Sequence, residues 1–130
     1  MVQSSGRHSK KSILHREMPF FAAFNKSNYA IGFVALKIHN EYSVEMFNLG
    51  VLEEYHRQGV GSALLTAVEN YCKEGGYKFI TVKTLDSSAE YEPYDRTRAF
   101  YRKKGFYPLE VFPLFWNEDN PCLFMAKYIG

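Results

Sequence analysis

Apolar positions along the chain switch between two periods, and the switches divide it into short strands and two helices. Phe20 to Phe24 and Tyr29 to Ile38 are apolar runs on either side of Asn25-Lys26-Ser27-Asn28, a turn composition, and predict an antiparallel pair. Val44 to Leu52 predicts a third strand, with Gly50 inside it marking a bulge or a close backbone approach. From Val60 the period lengthens. Val60, Leu64, Leu65, Val68, Tyr71 and Cys72 recur at helical spacing, Glu69, Asn70 and Lys73 lie mostly elsewhere on the wheel, and Gly75-Gly76 stops the helix. Phe79 to Leu85, β-branched and bounded by Gly76 and Asp86, predicts a buried strand, and a helix between two strands calls for a parallel βαβ crossover. A polar loop over 86–93 leads to a second helix, from an Asp95 N-cap to Lys104, with Arg102, Lys103 and Lys104 in its last turn and Gly105 beyond. Phe106 to Phe115 and Cys122 to Ile129 predict closing strands around a loop from Trp116 to Pro121.

Ahead of this pattern, residues 1–17 are polar, with Arg7, Lys10, Lys11 and Arg16 preceding the first acid, Glu17. That composition predicts a solvated, disordered segment rather than a nucleic-acid arm, and leaves 18–130 as one domain. A chain of 130 residues and 15.1 kDa, 46% apolar, has room for a single core. The formal charge of +2 is too small to imply a nucleic-acid or acidic-membrane partner. No apolar stretch reaches the length of a membrane span, and the start, Met1 to Lys11, lacks the hydrophobic region of a secretory signal, which predicts a cytoplasmic protein. Cys72 and Cys122 have neither a metal-ligand spacing nor the density of a disulfide framework, so both read as buried free thiols and no metal site is expected.

The candidate chemistry begins where the third strand meets the first helix. Tyr55-His56-Arg57-Gln58-Gly59-Val60-Gly61-Ser62 passes through a two-glycine turn into the helix. Glycines let backbone approach an anion, and the first helical turn offers unpaired N–H groups at the positive end of the dipole. This predicts a phosphate-bearing ligand. Neither a Walker loop nor a dinucleotide fingerprint fits, because there is no Gly-Lys-Ser/Thr end and no three-glycine run.

The run His56-Arg57-Gln58-Gly59-Val60-Gly61 resembles the pyrophosphate loop of the GNAT superfamily of N-acetyltransferases, written Gln/Arg-x-x-Gly-x-Gly/Ala. Arg98-Ala99-Phe100-Tyr101-Arg102-Lys103-Lys104-Gly105-Phe106 is similar to that family's Ala-x-x-Phe-Tyr-x-x-x-Gly-Phe element, shortened ahead of the Phe-Tyr pair. The two motifs stand in the family's order with a strand between them, and the resemblance covers roughly 20–130. One position departs: His56 stands where the family has Gln or Arg, so its side chain is assigned no phosphate contact.

The resemblance implies a GNAT-like α/β (α+β) fold: a mixed, mostly antiparallel sheet with a central parallel crossover, helices on its faces and a reduced N-terminal part. It implies transfer of an acetyl group from acetyl-CoA to a primary amine, by direct attack through a tetrahedral intermediate. Arg57, Gln58, Gly59, Val60, Gly61 and Ser62 then hold the diphosphate, mostly through main-chain N–H groups, and Leu49, Gly50 and Val51 offer a strand amide to the acyl oxygen. Tyr101 is the implied general acid, a phenol that is protonated at neutral pH. Glu45 lies eleven residues before His56, where the histone-acetylating branch carries its catalytic glutamate. Two readings fit it, a base acting through water or a solvated strand residue, and Glu53, Glu54 and His56 stay unassigned. Thr84 either bonds the pantetheine arm or only favours its strand. Acids in the flanking loops, Asp86, Glu90, Glu92, Glu118 and Asp119, lean towards a cationic acceptor, a small molecule or a peptide lysine. With few residues ahead of Phe20, one wall of the acceptor site is short, which suits a homodimer or a large acceptor. The reading from another class is a CoA-binding sensor or regulatory subunit without turnover.

Overall fold

The computed structural model describes residues 2–4 and 18–130. Nine elements follow in chain order: β1 (Val2–Ser4), β2 (Phe20–Phe24), β3 (Ala30–Ile38), β4 (Ser43–Val51), α1 (Val60–Glu74), β5 (Phe79–Leu85), α2 (Pro93–Lys103), β6 (Tyr107–Asn117) and β7 (Asn120–Tyr128). Single 3-10 turns, Glu53–Tyr55 and Ser87–Ala89, follow β4 and β5. The strands form one sheet in the order β1-β2-β3-β4-β5-β7-β6, antiparallel throughout except for β4 and β5. The expected mixed sheet with a parallel crossover is present.

Both helices pack on the face that carries Val34, Leu36, Val44, Ile80, Val82 and Met125. Leu64, Leu65, Val68 and Cys72 of α1, the stripe read from the sequence, are buried there. Gly32 of β3 lies under α1, where an added Cβ would stand 3.0 Å from Val60 Cγ1 and 3.3 Å from Leu64 Cδ1. Burying side chains of this size contributes about 1.5–3 kcal/mol each, and a one-residue slip of any strand would forfeit it. On the opposite face no helix among the described residues covers Phe33, Phe47 or Phe79, which stay partly exposed.

Four expectations are corrected. The bulge falls at Phe47, not Gly50: Ala35 pairs with Asn48 and Leu36 with Met46, leaving Phe47 as the extra residue. Gly50 marks the other feature its composition allowed, a close approach, since a Cβ there would lie 2.9 Å from Phe33 Cε1. The second helix starts at Pro93 behind Glu92, and Asp95 sits in its first turn as the ion-pair partner of Arg98 rather than as the cap. The closing strands meet at a short turn over 118–119, so Trp116 and Asn117 belong to β6, and Asn120 and Pro121 to β7. Val2–Ser4, expected within a solvated segment, pairs antiparallel with residues 21–23, and the rest of that expectation lies outside the described residues. Cys72 and Cys122 are buried free thiols as expected. No helix among the described residues is long and apolar enough to cross a membrane.

Candidate active site

β4 and β5 pair through only three positions, Ser43 with Phe79, Val44 with Ile80 and Glu45 with Thr81, and then part. Beyond that point β4 keeps β3 on one edge only, so alternate backbone groups from Met46 to Val51 face the gap. The Phe47 bulge coincides with the parting, since an extra residue bends and twists the strand that carries it. A cleft of about 690 Å³ opens there, lined by Phe47, Asn48, Lys83, Thr84, Tyr94 and Trp116 among others.

At the far end of β4 the chain makes the two-glycine turn. Arg57 at φ 63° and Gly59 at φ 80° are both left-handed, the kind of turn conformation from which backbone N–H nests for anions are built. Gly59 is the N-cap of α1, and it offers no side chain to cap the helix. The first turn of α1 holds no acid, so nothing offsets the positive end of its dipole. Gly61 brings α1 against α2, where an added Cβ would stand 3.4 Å from Phe100 Cζ. Arg57 is exposed and has no ion pair among the described residues. The Gln58 amide donates instead to the Glu54 carbonyl at 2.9 Å, and His56 Nε2 donates to the Val51 carbonyl at 2.9 Å, so both side chains turn back onto the preceding strand and turn.

Glu45 is not a solvated strand residue. It is 4% exposed, and its Oε1 takes both His39 Nε2 at 2.6 Å and Lys83 Nζ at 3.0 Å. Thr84, 3% exposed on the cleft wall, has a hydroxyl with no hydrogen-bond partner among the described residues. An orphaned buried hydroxyl costs about 1–3 kcal/mol, which a hydrogen-bonding group in the cleft would relieve. Tyr101 is 6% exposed between Phe100 and Phe106 and is not among the residues that line the cleft, and its hydroxyl bonds to no described residue. Burial, with Tyr94 adding to it, pushes the Tyr101 phenol up to about 12.

Of the loop acids only Asp119 lines the cleft. Asp86 is spent on its own turn, where the Ser88 hydroxyl at 2.6 Å holds its carboxyl below the usual range. Glu53, Glu54 and His56 lie outside the cleft lining. Sequence reasoning did not single out Lys83, Asn48, Tyr91 or Tyr94. Lys83 did carry a signal: an ionisable group within the apolar run of β5 requires a buried partner.

The acetyltransferase (GNAT) domain family matches residues 16–108. An uncharacterised N-acetyltransferase of Chlorobaculum tepidum is 27% identical over 119 residues, 89% of this chain and 69% of that protein. The fold is similar to a GNAT family acetyltransferase from Elizabethkingia anophelis solved with acetyl-CoA bound, with a TM-score of 0.77, 20% identity and coverage of 98% of this chain and 97% of that one. It is also similar to Ard1 from Thermoplasma volcanium, with a TM-score of 0.73, 18% identity and coverage of 97% and 83%.

Proposed function

The chain belongs to the GNAT acetyltransferase family, and from that premise we propose that it moves the acetyl group of acetyl-CoA directly to a primary amine, on a small molecule or a peptide. The observation that carries this reading is the parting of β4 from β5 beside an amide-lined turn free of acids. When bound, acetyl-CoA supplies an activated acyl thioester. Main-chain N–H groups of Arg57, Gln58, Gly59, Val60, Gly61 and Ser62 hold the diphosphate, and the Arg57 guanidinium adds charge from the rim. Thr84 Oγ1 bonds the pantetheine arm. The Leu52 N–H bonds the Ile31 carbonyl of β3, so by alternation the Gly50 amide also faces β3. Of the three expected donors, the amides of Leu49 and Val51 on the open edge of β4 stabilise charge developing on the acyl oxygen.

Two proton transfers remain. An ordinary alkylamine, with a pKa near ~10.4, is charged at neutral pH and must lose a proton before it attacks. Glu45 receives that proton, and His39 on the same oxygen passes it outward, its side chain being 35% exposed. Tyr101 protonates the departing thiolate, as its high pKa keeps the phenol neutral through the physiological range.

A non-catalytic CoA sensor is the second reading, favoured by one observation: Lys83 already occupies the carboxylate proposed as base. Titration calorimetry with acetyl-CoA, paired with CoA release over a panel of small amines and lysine peptides, separates the two. The enzyme binds and turns over, whereas the sensor binds without turnover. Gly61→Glu sets a carboxylate at the amide cradle and bulk against Phe100, and it should abolish binding. Unchanged affinity in that variant means the turn holds no anion.

A further inference from the structure

Lys83 is a primary amine that the site already holds. It stands two residues beyond Thr81, the last residue of β5 to pair with β4, and therefore shares a face with Glu45 at the mouth of the gap. Its Nζ donates to Glu45 Oε1 at 3.0 Å and lies 5.2 Å from the Phe115 ring centre and 6.0 Å from that of Phe124. A carboxylate with aromatic faces around it is how a protein receives an alkylammonium ligand. The Lys83 side chain also lines two spaces at once, the cleft of about 690 Å³ and a neighbouring one of about 450 Å³ walled by Phe112, Phe115 and Phe124. The chain has placed its own ammonium where an acceptor's would sit.

We propose that Lys83 is an acetyl acceptor within its own molecule, a self-acetylation site; the inference rests on the acetyl transfer proposed above. The Lys83 ammonium gives one proton to Glu45 Oε1, which His39 Nε2, 2.6 Å from that oxygen, relays towards solvent. The neutral Nζ attacks the thioester carbonyl of acetyl-CoA. A nitrogen–carbon bond forms, the carbon–sulfur bond breaks, and the thiolate takes up the second proton that nitrogen sheds. The products are acetyl-lysine, the CoA thiol and one proton released to solvent, with no change of oxidation state. Acetylation removes the cation from Glu45, leaving that carboxylate with His39 alone, and it leaves a bound product where an external amine would enter.

The test is incubation of the purified protein with isotopically labelled acetyl-CoA in the absence of amines, followed by peptide mapping. Lys26 and Lys73, both exposed, serve as internal standards, because a reagent arriving from solution labels open amines first. Lys83, with a side chain only 21% exposed, should nonetheless acquire the label at least about tenfold faster than either. Its rate constant should not change on dilution, and Gly61→Glu should erase its lead. With acetic anhydride in place of acetyl-CoA, the order should reverse. Label confined to Lys26 and Lys73, a rate proportional to protein concentration, or Lys83 labelled first by the anhydride as well would each overturn the proposal. If acetyl-CoA gives no thermal shift, the enzyme reading falls with it; if acetyl-CoA binds and amines turn over while Lys83 stays unlabelled, only the self-acetylation is refuted.

Discussion

Tyr101 holds its ring between Phe100 and Phe106, and its hydroxyl bonds to no described residue. Replacing Tyr101 with Phe therefore removes a proton donor and little else. Turnover should fall by about 10²-fold or more, while acetyl-CoA affinity and melting temperature stay close to wild type. Initial rates measured beside a binding titration check this, and an unchanged rate takes Tyr101 out of the mechanism. Position in the fold was legible in the sequence where a motif held it, as for Gly59 at the turn, Gly61 at the start of α1 and Tyr101 on α2. It was not legible where the site depends on long-range pairing: Glu45 meets Lys83 across 38 positions, and His39 joins them from the turn between β3 and β4. Nothing within a single strand announces such a cluster except that Lys83 interrupts an apolar run.

The strand-to-helix turn is the element on which the proposed binding depends, and two left-handed residues, Arg57 and Gly59, set its shape. Gly59 sits at φ 80° with nothing within 4 Å of where a Cβ would be, so an added methyl meets no neighbour but strains the backbone. Gly59→Ala should cost about 1–2 kcal/mol of stability and weaken acetyl-CoA binding as the cradle relaxes. Thermal unfolding with and without ligand measures both losses; an Ala variant that melts and binds like wild type contradicts the cradle. Element types and order were readable, since hydrophobic period and turn composition act locally. The bulge was not, because its position is a matter of register between β3 and β4, and Phe47 has no feature of its own that marks it. At α2 the Pro93 ring, suited to the first helical position, outweighs the capping chemistry of Asp95.

Across the whole molecule, one core joins both helices to the sheet, and three of its ionisable groups resist deprotonation. Burial, first among the causes for each, pushes Tyr71, Cys72 and Tyr101 up to about 12 from ordinary values of 10.0, 9.0 and 10.0. The unfolded chain releases these protons at lower pH than the folded one does. Their contribution to stability is therefore complete below the unfolded values and is lost as the pH climbs towards about 12. Melting temperature should hold through neutral pH and decline above about pH 9 to 10, and a flat profile up to 11 would mean these groups are solvated. The single core and the parallel crossover were legible from apolar spacing. The pairing of Val2–Ser4 with residues 21–23 was not, because a three-residue strand carries too little pattern to stand out from a polar stretch.

The central claim is that the amides of residues 57–62 grip the diphosphate and so direct the thioester into the gap beyond Glu45 and Thr81. Backbone amide NMR during titration with acetyl-CoA tests it most directly. The largest shifts should cluster at residues 57–62 and along 47–51, saturating together. Saturating acetyl-CoA that leaves both groups of amides unmoved contradicts the account.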